Sequence, residues 1–101
     1  MSAYYALLLI HLHFPEASDL KAKRKELQSI KSLLHGRLGA AVAEVDHHDL
    51  WQRATLAAAL TSGSTAQLDQ AADRVERWLE ERCPAGVRVE RRVATFEDLN
   101  A

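Results

Sequence analysis

Lys21, Lys23, Arg24 and Lys25 crowd into five consecutive positions, a density of positive charge that attracts phosphate wherever it faces water. Cations of this kind raise affinity for nucleic acid without reading its sequence. The imbalance extends further: residues 18–38 hold six Lys and Arg against Asp19 and Glu26, whereas residues 64–83 hold three Arg against five carboxylates. The chain is therefore electrically two-sided. Charge runs are more commonly a solvated helix face than a binding site, so these four residues are nucleic-acid- or anion-binding candidates on local density alone.

The histidines are the next residues that could do chemistry. His11 and His13 project from one side of a strand pattern, and Asp46, His47, His48 and Asp49 cluster in a turn. Zinc requires about four such ligands converging in a tetrahedron, and no recognised ligand spacing is present. Polar rim residues and turn formers are the expectation, with no metal and no cofactor. Glu44 and Asp46 stand two apart, which on a regular strand puts both carboxylates on one face, but no acid or base partner follows from spacing. Cys83 falls at the end of a helical pattern, where the helix dipole disfavours a thiolate. With no Gly-rich phosphate loop and no G-x-S-x-G, the expectation is a protein that is not an enzyme.

Composition narrows the setting. Apolar residues make up 48% and charged residues 27% of the 101-residue chain, the balance of a folded single domain. The formal net charge of −1 supplies no global attraction for nucleic acid, so only a local patch could bind it. A single cysteine permits no internal disulfide, and a reducing, cytoplasmic setting suits it. The apolar stretch Tyr4 to Leu12 lacks the flanks of a signal peptide and is shorter than the roughly 20 residues needed to span a bilayer.

These residues need elements to position them. From Tyr4 to Phe14 one alternate set is wholly apolar or aromatic and the other turns polar only at His11 and His13, the pattern of a central strand. Ser18 can cap a helix whose apolar positions are Leu20, Leu27, Ile30, Leu34 and Leu38, with Gly36 and Gly39 at its end. Strands are expected at Ala40 to Asp46 and Trp51 to Thr61, a capping Ser64 opens a second helix with Leu68, Ala71, Ala72, Val75, Trp78 and Leu79 on one stripe, and Val87 to Val93 alternates as an edge strand does. The order βαββαβ predicts an α+β, ferredoxin-like sandwich: a four-stranded antiparallel sheet with two helices on one face. Residues 1–95 form that one domain, and 96–101 a C-terminal tail.

The other face of such a sheet stays open. Leu7, Leu9, Ala57 and Ala59 would occupy its middle, with His11, His13, Trp51 and Arg53 toward one end as a candidate pocket. A centre this apolar commonly marks an interface, so a homodimer packed through Leu7, Leu9, Ala57 and Ala59 is expected, the alternative being that Phe96 and Leu99 of the tail fold over it. RNA-binding domains that use this face carry stacking aromatics where this chain has leucine and alanine.

Two stretches carry a family resemblance: Ser18 to Lys25, SDLKAKRK, and Val42 to Ala54, VAEVDHHDLWQRA. They resemble the signature of the YlxP-like bacterial family, a domain of unknown function. Leu20, Lys21, Lys23 and Arg24 match its Leu-Lys-x-Lys-Arg element, Ala43 to Val45 its Ala-Glu-Val, and Trp51 to Arg53 its Trp-Gln-Arg; Asp19 departs from the serine usual there. The resemblance implies a ferredoxin-like fold and a connection to the ribosome or RNA. Physically, the matched Glu44 and Arg53 could also pair across neighbouring strands, with Trp51 covering the end. The chain is thus expected to be a non-catalytic RNA- or ribosome-associated module. The alternative is a dimeric small-molecule-binding or regulatory module with its pocket at one end of the open face.

Overall fold

A computed structural model describes residues 1–99; Asn100, Ala101 and the side chain of Leu99 lie outside the described residues. Strand β1 (Tyr4–His13) is central because its Ala6, Leu8, Ile10 and Leu12 are all buried. It pairs antiparallel with β3 (Arg53–Ser62) on one side and β4 (Val87–Thr95) on the other, while β2 (Ala41–Asp46) pairs with the far edge of β3. The order β2-β3-β1-β4 is that of a ferredoxin-like sheet.

Helices α1 (Leu20–Gly36) and α2 (Thr65–Arg82) each present one apolar stripe, and both stripes meet the same sheet face. Leu27, Ile30 and Leu34 of α1 and Leu68, Ala72, Val75 and Leu79 of α2 close over Leu8, Ile10, Leu56 and Ala58. Each large aliphatic side chain so buried contributes roughly 1.5–3 kcal/mol of transfer free energy, which makes this single layer the main stabilising term.

Local chemistry sets the boundaries. Asp19, not Ser18, caps α1: its carboxylate accepts the Ala22 amide at 2.8 Å. Ser64 caps α2 in the same way, its hydroxyl accepting the Gln67 amide at 3.2 Å. At the other end of α1 the chain reverses through Gly39, whose φ of +73° is a conformation that costs a side-chain-bearing residue more than glycine. Trp51 stands in the β2–β3 loop rather than in β3, and β4 runs on to Thr95, followed by a 3-10 turn at Phe96–Leu99 where a loose tail was expected.

One irregularity rearranges the carboxylates. Pairing between β2 and β3 shifts register after Glu44, so that Glu44 opposes Leu56 but Asp46 opposes Thr55. Such a one-residue bulge turns every later side chain to the other face. Glu44 points under the helices and Asp46 to the open face, so the two do not form a pair on one strand face.

Candidate functional site

The stripe of α1 that meets the sheet runs through positions 23, 27, 30 and 34, and the first of these is a lysine. Lys23 is completely buried. Its Nζ donates to the carbonyl oxygens of His47 at 2.6 Å and His48 at 3.4 Å and stands 3.6 Å from Glu44 Oε2. His47 takes a left-handed φ of 63° in the tight turn that presents these carbonyls. Glu44 in turn gathers Arg24 at 3.8 Å and His48 at 3.9 Å around its other oxygen, while its buried Oε2 accepts no hydrogen bond. The cluster therefore clamps the first turns of α1 to the β2–β3 loop.

This corrects two expectations. Lys23 is not available to phosphate, because its position on the inward stripe, two carbonyl acceptors and the nearby Glu44 carboxylate hold it inside. Arg53 does not pair with Glu44: it lies opposite His13 of β1, and Glu44, in regular register opposite the buried Leu56, points to the helix side of the sheet. Of the four cations, Lys21, Arg24 and Lys25 are exposed, and neither Lys21 nor Lys25 has an ion-pair partner among the described residues.

The open face holds a second polar assembly that spacing alone did not suggest. His11 Nε2 lies 2.7 Å from Glu90 Oε2, Thr55 Oγ1 lies 3.4 Å from His11 Nδ1, and His47 Nδ1 lies 2.9 Å from Thr55 Oγ1. The hydrogen bond from His11, followed by the nearby Arg88, holds the Glu90 carboxyl below the usual glutamate range. An ionised Glu90 only accepts, so His11 donates to it from Nε2, and the Thr55 hydroxyl stands between His11 Nδ1 and His47 Nδ1. With Thr55 buried its hydroxyl is shielded from water, and the row serves as structure rather than as an exposed nucleophile.

His11 is taken up by Glu90 and Thr55 and does not line the hollow expected of it, while His13, Trp51 and Arg53 line a wide, shallow hollow of about 540 Å³ with Leu50. A deeper cleft of about 370 Å³ opens on the helix side between His13, Phe14, Glu26, Arg82 and Cys83. Its polar wall is already internally paired, with Arg82 donating to Glu26 at 3.1 Å and to Ser29 at 3.0 Å. Burial, then the nearby Glu26, pushes the Cys83 thiol up, which keeps it protonated and a poor nucleophile. On the far side, burial works against the charge of Arg91, but hydrogen bonds to Asp73 at 2.8 Å and to Glu76 outweigh it and keep the guanidinium charged. No group of three or more His, Cys, Asp or Glu side chains is placed to share a metal ion among the described residues, and no helix there is long and apolar enough to cross a membrane.

Fold and site together define a ferredoxin-like α+β domain built around a buried lysine clamp. The de novo designed protein Foldit4 is similar in architecture alone, with 11% identity, a TM-score of 0.58, and coverage of 93% of this chain and 98% of that one. No curated protein matches the chain. The chain belongs to DUF503, a family of proteins of unknown function, whose model matches residues 6–92. That span includes both Lys23 and Glu44.

Proposed function

We propose that the protein is a non-catalytic cytoplasmic module that docks on RNA, as displayed by the ribosome, through the head of α1. The observation that carries this reading is the exposure of Lys21, Arg24 and Lys25 on a helix start whose fourth cation, Lys23, is spent on fixing the backbone. A rigid scaffold that presents exposed cations is suited to phosphate contacts, which confer affinity rather than sequence recognition. The match of Leu20 to Arg24 and of Ala43 to Arg53 to the YlxP-like signature supports the same reading.

The test is co-sedimentation with ribosomal subunits at low and high salt, using wild type and a variant with Lys21, Arg24 and Lys25 changed to Gln. Binding at low salt that is lost at high salt and in the variant is the expected result. Three phosphate contacts to single-stranded RNA correspond to a slope of log affinity on log salt of roughly −2. Absence from ribosomes at both salts, or binding indifferent to the three cations, rejects it.

A further inference from the structure

The open face of the sheet is a grid whose columns are strands. Reading from β2 to β4, one row is Asp46, Thr55, His11 and Arg88; the next is Ala43, Ala57, Leu9 and Glu90; the third is Ala41, Ala59, Leu7 and Arg92. Two asymmetries stand out. The leucines all lie on β1 while its neighbour β3 sets Ala57 and Ala59 beside them, and the first row ends in an anion on β2 and a cation on β4. Leu7 is 45% exposed at the centre of this face, so the described residues leave it uncovered. Phe96 is itself half exposed, and it hangs from the Ala3 carbonyl at the sheet's end rather than crossing it.

We propose that this face binds a second copy of the chain about a twofold axis running along the strands between β1 and β3. That operation lays each row over its own reverse. Leu7 and Leu9 then fall on the partner's alanine column, large against small, and Asp46 falls on the partner's Arg88. The side chains of Asp46 and Arg88 are 70% and 68% exposed in the single chain and so can reach a partner, although each already has a neighbour within the chain, His47 at 3.9 Å from Asp46 and Glu90 at 3.6 Å from Arg88. The charged residues Glu90 and Arg92 of β4 overlie the small Ala43 and Ala41 of β2, whose lack of bulk leaves room for them. Two sheets packed face to face keep their strands within about 30° of each other, so the match survives their twist. An isologous contact uses each complementary pair twice. The helices stay outside, and the assembled pair presents two copies of the α1 cations on opposite surfaces.

The experiment is sedimentation equilibrium on the full chain, with circular dichroism confirming the fold of every variant. Wild type is expected to be a dimer at micromolar concentration. Leu7→Glu, at a position already exposed in the single chain, is expected to give a folded monomer. D46R alone and R88D alone set like charges against each other and should each weaken the dimer by about tenfold or more, while the double variant D46R/R88D restores the pairing and recovers most of that loss. The restoration is specific to this axis, because Asp46 and Arg88 stand on opposite edges of one sheet and do not meet within a chain. A monomeric wild type at high micromolar concentration, a dimer indifferent to Leu7→Glu, or a double variant as weak as the singles overturns the proposal.

Discussion

Lys23 shows how a single residue can look like one thing and be another. A buried ammonium is tolerated only when its charge and its hydrogens are answered, here by Glu44 and by the His47 and His48 carbonyls. Removing it leaves Glu44 buried without its nearest cation. Lys23→Ala is therefore expected to cost about 3–5 kcal/mol, read by urea unfolding, and the double change Lys23→Met, Glu44→Leu to cost much less, since it removes both charges and keeps the volume. Equal losses in the two variants would show that packing, not charge, holds this corner. Glu90 makes a pH prediction. Its carboxyl is depressed in the folded state, so its stabilising effect is present above the ordinary glutamate range and is lost as pH falls through the folded value. The melting temperatures of wild type and Glu90→Gln should differ at neutral pH and converge in acid; a constant gap would contradict the role of the His11 hydrogen bond.

At the scale of elements, the two helices are held by different means at their starts and by the same means along their length. Asp19 and Ser64 each satisfy one otherwise orphaned backbone amide. Asp19→Ala and Ser64→Ala are each expected to lower stability by about 1 kcal/mol in denaturant titrations, whereas Ser18→Ala should change little because Ser18 is not the cap. The head of α1 has a second anchor that α2 lacks, the Lys23 clamp. Strand β2 depends on that clamp as well, because Glu44, placed before the register shift, is the strand residue that faces Lys23. Arg91 plays the corresponding part between β4 and α2, tying an edge strand to the helix through Asp73 and Glu76.

For the whole molecule, the separation of surfaces matters most. Helices and their charges occupy one side of the sheet, and the uncharged centre with Leu7 occupies the other. A protein built this way can associate through one side while it displays cations from the other. If the open face holds a second copy, unfolding is linked to dissociation, and the melting temperature of wild type should rise with protein concentration while that of Leu7→Glu does not. Concentration-independent melting of both would count against the assembly. Two linked cationic patches would also bind a long RNA more tightly than one, by raising the effective concentration of the second contact.

The element order, the inward faces of β1 and of both helices, and the cap at Ser64 were legible in the chain, because each depends on neighbours within a few residues and on a regular period. The open apolar face followed from the same counting. Even Lys23 left a trace: the inward stripe of α1 skips from Leu20 to Leu27, and Lys23 stands in the gap at helical spacing from both. Its burial was nonetheless decided only in three dimensions, since it rests on carbonyls 24 and 25 residues away and on the carboxylate of Glu44 in β2. The bulge that parts Glu44 from Asp46 and the row joining His47, Thr55, His11 and Glu90 are of the same kind. Periodicity along the chain states which face a residue prefers, but which distant groups meet on that face, and whether a charge among them can be answered, is set by strand register and loop geometry. By itself the sequence determined the domain and its electrical two-sidedness; the tertiary structure decided that one of its four clustered cations is a buried clamp and the other three are surface.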